Sequence, residues 1–99
     1  MRISISGSPA VHLEQLRAYA EYRVFTQLAA FADQVKVVRV FVSRSADDRM
    51  TSCVMSAELD NAMRIQVRGR DTQPIRAVDF AAKRLAGSVA ARGSSSANT

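Results

Sequence analysis

The stretch from Met63 to Arg70 alternates apolar and polar residues, and this period of two constrains the fold more than any other feature of the chain. A strand sends successive side chains to opposite faces, so Met63, Ile65 and Val67 share one face while Arg64, Gln66, Arg68 and Arg70 share the other. One face packs and the other presents three guanidiniums. Like charges crowded on a sheet face repel unless an anionic partner neutralises them, and a nucleic-acid backbone presents many charges in a row. The strand therefore calls for a sheet with one covered and one open face, and the open face points to RNA or DNA.

The remaining segments supply that sheet and its cover. Met1 to Gly7 sets Ile3 and Ile5 against Arg2, Ser4 and Ser6, a short strand ended by Gly7-Ser8-Pro9. From about Ala10 to Ala32, Leu13, Leu16, Ala20, Val24, Leu28 and Phe31 recur at helical steps, which predicts a helix opened by Ser8 or Pro9. Tyr19, Tyr22 and Phe25 lie off that stripe. Val35 to Val42 is too β-branched for a helix and points Val38, Val40 and Val42 inward against Arg39 and Phe41. A polar loop from Ser43 to Thr51 leads to a strand over Ser52 to Leu59, and Asp60-Asn61 makes the turn into the arginine strand.

After Asp71, Thr72 or Gln73 serves as a helix cap and Pro74 sits near the first helical position. Ile75, Val78, Ala82, Leu85 and Val89 form a narrow apolar stripe, and Asp79 stands four residues before Lys83 as a helix-strengthening pair. The helix is expected to end near Arg92-Gly93, leaving 93–99 as a disordered tail after a single domain over 1–92. The order β-α-β-β-β-α with two amphipathic helices predicts an α+β, two-layer sandwich: a four-stranded sheet with both helices packed on one face. The open face would then hold Arg2, Ser4, Ser6, Arg39, Phe41, Ser52, Ser56 and Glu58 beside the polar side of the arginine strand.

Charge agrees with an anionic partner. The 99 residues carry 14 Lys+Arg against 9 Asp+Glu, a formal net charge of +5. All the basic residues are Arg except Lys36 and Lys83, so the charge is of the planar, fork-donating kind that suits phosphate and base edges. An Arg-favouring coding bias would raise that ratio but not the net excess.

Other chemistries find little support. The chain suits one domain with a modest core and no cleft between domains. No apolar run reaches the roughly 20 residues of a membrane span, and no signal-peptide pattern opens the sequence, so a cytoplasmic protein is expected. Cys53 is the single cysteine, which excludes an internal disulfide and a multi-cysteine metal site; it reads as a small buried hydrophobe. His12 is the single histidine and falls at a helix start, where neither a metal site nor a Ser-His-Asp triad has its partners nearby in sequence. Asp47-Asp48 lies in a polar loop beside Arg44 and Arg49 and reads as solvated or locally paired. The glycines are scattered, with no phosphate-binding loop. No catalytic residue, cofactor, metal or small-molecule substrate is expected.

The element order is joined by a pattern of residues: Leu16-Arg17, then Leu28, Phe31 and the strand Val35 to Val42, and later Asp71, Ala77-Val78-Asp79, Lys83, Leu85 and Val89. Over residues 1 to about 92 this resembles the ribosome hibernation-promoting factors and ribosome-associated inhibitors. The resemblance implies a non-enzymatic, translation-regulating protein that binds the small ribosomal subunit near its decoding region and silences translation in stress or stationary phase. Its RNA-contacting positions carry over to Arg17, Arg23, Lys83, Arg84 and Arg92. The sheet arginines Arg39, Arg64, Arg68 and Arg70 are candidates on physical grounds alone. Ribosomal RNA of the small subunit is the expected partner.

Two other readings stay open. The first is a protein-interaction or self-assembly module, a homo-oligomer included, that uses Phe41, Tyr22, Phe25 and the sheet face or an edge strand. The second is a double-stranded RNA reader, since α-β-β-β-α is embedded in the order. Such readers carry a Lys cluster at the start of the last helix, where Gln73-Pro74-Ile75-Arg76 offers only Arg76.

Overall fold

A computed structural model describes residues 1–97. Strand β1 (Arg2–Gly7) leads to helix α1 (Leu13–Leu28), a single 3-10 turn (Ala29–Phe31), strands β2 (Val35–Arg44), β3 (Thr51–Leu59) and β4 (Arg64–Asp71), and helix α2 (Pro74–Ala97). The strands form one sheet in the order β1-β2-β3-β4, with β1 parallel to β2 and the other pairs antiparallel. The parallel pair requires a crossover, and α1 provides it. Both helices lie on the same face and touch each other, α2 running over β4 and β3 and α1 packing beside it. This is the α+β sandwich expected from the residue pattern.

The covered face forms the core. Ile5, Val38, Val40, Val42, Cys53, Met55, Ala57 and Ile65 are buried beneath Leu16, Ala20, Val24 and Leu28 of α1 and Val78, Ala82, Leu85 and Val89 of α2. Burial pushes the Cys53 thiol up to about 12, so at neutral pH it is a neutral apolar group. Gly69 is where α2 comes nearest to the sheet. A Cβ there would land against the Ala77 carbonyl oxygen and 2.6 Å from the Ala81 nitrogen, so only glycine allows this approach.

Several boundaries differ from expectation. Helix α1 starts at Leu13, not near Ala10, because the Ser8 amide donates to the Val42 carbonyl at 2.9 Å and prolongs the strand pairing. A turn closed by the Val11 amide on the Ser8 carbonyl, 3.0 Å, then reorients the chain, and His12 takes the cap position without a side-chain capping bond. The turn after β3 is longer than Asp60-Asn61, with Ala62 at φ 67° and the Asn61 side chain accepting from the Met63 amide at 3.0 Å. Met63 precedes β4 but continues its pairing, the Leu59 amide donating to the Met63 carbonyl at 2.9 Å, and at the end of the sheet its side chain meets Arg92 of α2 on the helix side while staying 37% exposed. Ile75 is likewise exposed, and Ala77 and Ala81 take its expected place in the α2 stripe.

Helix α2 runs to Ala97, past the end expected near Arg92-Gly93, so the chain expected as a tail continues the helical backbone that far. Gly93 and the serines after it are weak helix formers, but no proline stops the propagation. Residues 98 and 99 lie outside the described residues.

Candidate nucleic-acid interface

Strand register arranges the open face in rows. Arg2, Val37, Glu58 and Arg64 lie across the sheet in one row, and Ser4, Arg39, Ser56 and Gln66 in the next. Ser6, Phe41, Val54 and Arg68 follow, then Ser43, Ser52 and Arg70. Neighbouring strands are about 4.8 Å apart and alternate residues of one strand about 6.6 Å apart, which puts Arg68 and Arg70 within a Debye length of each other and Arg39 just beyond one from Arg64 and from Arg68. Arg2, Arg39, Arg64, Arg68 and Arg70 are all exposed. Glu58 is the one acid among the face positions, opposite Arg64 in register. Of the face arginines, Arg70 reaches an acid from outside, Asp48 of the β2–β3 loop, at 3.5 Å. Both side chains are about half exposed, so the contact contributes little to stability.

Asp48 has a firmer role within its own loop. Its carboxylate accepts from the Met50 amide at 2.9 Å, and that bond, with the Ser45 hydroxyl after it, lowers its pKa from the ordinary 3.8. Asp48 thus shapes the loop through its carboxylate, and Asp47 through its amide, which donates to the Ser45 hydroxyl at 3.3 Å. Among the described residues no cluster of three or more His, Cys, Asp or Glu could hold a metal ion.

The five candidates on the helices divide. Arg17 and Lys83 are exposed. Arg23 instead ties the helices together: its Nε lies 2.9 Å from an Asp79 carboxylate oxygen, which also accepts the Tyr19 hydroxyl at 2.7 Å. Asp79 therefore serves an interhelical junction, not the expected pair with Lys83. That hydrogen bond, reinforced by burial and the Asp79 charge, raises the Tyr19 pKa above its ordinary 10.0. Arg84 reaches down the side of the sheet and donates to the Arg68 carbonyl at 2.7 Å, and Arg92 approaches the Met63 sulfur at 3.1 Å.

These contacts join what the sequence separates. Arg84 and Arg92 of α2 meet β4 and the residue before it, so with Arg64, Arg68 and Arg70 they form a basic band around the outer edge of the sheet. Arg17 and Arg23 belong to α1, which packs on β1 and on α2 away from that edge. No periodicity argument could reveal Arg84 on Arg68, because the contact depends on how α2 lies on β4. The Tyr19–Asp79–Arg23 junction was hinted at only by an aromatic residue off the apolar stripe.

A hollow of about 220 Å³ lies between the starts of the two helices, at the end of the sheet where Arg44 and Thr51 stand. It is bordered by Val11, His12, Gln15, Arg44, Thr51 and Ile75 and is mainly apolar. Its Thr51 is buried, and no hydrogen bond between a hydroxyl and the His12 ring is found among the described residues.

No family model and no curated protein sequence matches the chain. Solved structures do. A ribosomal subunit interface protein from Coxiella burnetii superposes with a TM-score of 0.82 over 95% of this chain and 99% of its own, at 14% identity. The N-terminal domain of Thermus thermophilus Protein Y superposes with a TM-score of 0.73 over 90% of this chain and 96% of its own, at 19% identity. The β-α-β-β-β-α sandwich of this chain is therefore the fold of these two proteins over nearly its whole described length.

Proposed function

We propose that this chain is a ribosome-associated RNA-binding protein of the cytoplasm that binds ribosomal RNA of the small subunit and silences translation under stress. The observation that carries the reading is the basic band around β4, where Arg64, Arg68 and Arg70 join Arg84 and Arg92. A fold shared with a protein named for the ribosomal subunit interface supports the ribosome as the source of that RNA. Binding, not catalysis, is the activity that such a surface performs. Phosphate contacts release counterions, so affinity for ribosomes should fall steeply as salt rises.

Sucrose-gradient sedimentation of ribosomes with the purified protein tests this. Co-migration with small subunits at low salt, lost at high salt and lost on reversing Arg64, Arg68 and Arg70 together to Glu, is the expected result. Free protein remaining at the top of the gradient at every salt concentration would overturn it. Loss on changing Lys83, Arg84 and Arg92, with the sheet arginines dispensable, would move the contact to the helix layer.

A second reading rests on a separate observation. Tyr22 and Phe25 of α1 are 62% and 59% exposed, and with Met1 and Ile3 they line a shallow apolar hollow beside the free edge of β1. Exposed aromatic residues next to an unpaired strand edge suit contact with another chain. Light scattering that rises with protein concentration in wild type and not in a Tyr22→Ser, Phe25→Ser variant is its expected signature.

A further inference from the structure

Phe41 sits near the middle of the open face, on an interior strand, and is 45% exposed. Its row neighbours are Ser6 and Val54, and along its own strand the residues two positions away on the same face are Arg39 and Ser43. The two serines are too short to cover an aromatic ring, so part of its apolar surface is left to water. The covered face gains nothing from it, because the ring points away from the core. Arg68 stands in the same row beyond Val54, and Arg70 in the row beside it. An aromatic surface within reach of several cations, on a face whose one acid is Glu58, matches a ligand that is both anionic and flat.

From this arrangement we infer that the open sheet face is a platform for single-stranded RNA, with Phe41 stacking on an unpaired base and Arg39, Arg68 and Arg70 holding the phosphates on either side. An unpaired base offers its π-face to an aromatic side chain, whereas the bases of a duplex are already stacked on one another. A protein partner would have to bring carboxylates to the guanidiniums and a separate apolar group to Phe41, whereas every nucleotide of a single strand carries both a phosphate and a flat base. The inference rests on the RNA-binding reading above and adds to it the strandedness of the target and the residue that reads it.

Fluorescence anisotropy with the purified full chain, a labelled unstructured ten-nucleotide RNA and a ten-base-pair RNA duplex tests it. The single strand should bind more tightly than the duplex. Phe41→Leu, which keeps apolar bulk on an exposed position, should weaken single-strand binding roughly tenfold without changing its salt slope, and Phe41→Tyr should restore it. Arg39→Ser and Arg68→Ser should instead each reduce the salt slope by about one. Thermal melts of every variant check that the fold is intact. Equal affinity for duplex, no binding of either RNA, or a Phe41→Leu protein that binds like wild type would overturn the platform. Sedimentation with ribosomes separates this from the parent reading: wild-type co-migration with a silent Phe41→Leu leaves the ribosome reading standing and removes the platform. Phe41-dependent RNA binding without co-migration does the reverse.

Discussion

The same four strands present two faces under opposite rules. On the side of the helices, Val40, Val42, Cys53 and Met55 are almost wholly buried, and each position is specified by shape. On the other side, the side chains of Arg39, Phe41, Gln66 and Arg68 are exposed, and each position is free to be specified by what it offers to a partner. Stability is concentrated on one face and recognition on the other, although the residues alternate one by one along each strand. Substitutions at adjacent positions should therefore give effects of different size and kind.

Met55 and Val54 make the sharpest pair. Met55→Ala removes a side chain with no exposed surface and leaves a cavity, with an expected loss of about 2–5 kcal/mol. Val54→Thr, one residue away on the open face, should change stability by about 0.5 kcal/mol or less. Chemical denaturation of the two variants measures this, and a Val54 effect as large as that at Met55 would mean that the open face is covered in solution. Gly69→Ala follows, with an expected loss of about 1–3 kcal/mol, since the added methyl must push α2 off β4. Because α2 carries Arg84 onto the Arg68 carbonyl, the same variant should also disturb the basic band, seen as weaker ribosome co-sedimentation.

A smaller effect is expected where the two helices meet. Tyr19→Phe removes the hydroxyl that donates to Asp79, with an expected loss of about 1 kcal/mol below pH 10. The pH dependence has a definite sign. The folded-state pKa of Tyr19 is raised above 10.0, so its contribution is fully present below that pH and is lost as pH rises through the higher folded value. Wild type should therefore lose more stability above pH 10 than Tyr19→Phe, on top of the alkaline fall that the buried Cys53 thiol gives to both proteins. Superposable alkaline limbs for the two proteins would show that the hydroxyl is not held by Asp79 in solution.

How much of this was readable in advance follows from the range of the interactions. Alternation along β2, β3 and β4 is a local property, and it placed Arg39, Phe41, Ser52, Ser56, Arg64, Arg68 and Arg70 on the open face, where the register puts them. Spacing in α1 likewise placed Leu16, Ala20, Val24 and Leu28 in the core. Met63 keeps the face that alternation gives it, but its exposure at the end of the sheet, after a turn with Ala62 at φ 67°, is not a property of the alternation. Arg23, an RNA-contact position by resemblance, is held by Asp79, 56 residues away, and no local pattern shows that pairing. Contacts between elements, Arg84 on Arg68 above all, depend on how layers pack and leave no period in the sequence. Gly69 is intermediate: a lone glycine inside a strand signals a close approach, but not which element approaches.

The smallest stability effect is expected at the strand of arginines, and it tests the division between the faces from the other side. Arg64, Arg68 and Arg70 alternate along β4 with Arg39 two strands away, and salt bridges within 4 Å involve Arg70 alone among these four in the described residues. Replacing Arg64 and Arg68 by Ser should therefore remove repulsion without breaking an ion pair, and raise stability by up to about 0.5 kcal/mol at low ionic strength. The gain should shrink as salt rises, because screening relieves the same repulsion in the wild type. Melting curves at low and high salt measure it. A destabilised double variant at both salts would mean that these guanidiniums hold the sheet together. A gain in stability coupled to weaker RNA binding would show instead that the face maintains an unfavourable charge density in the free protein, one that only an anionic partner neutralises.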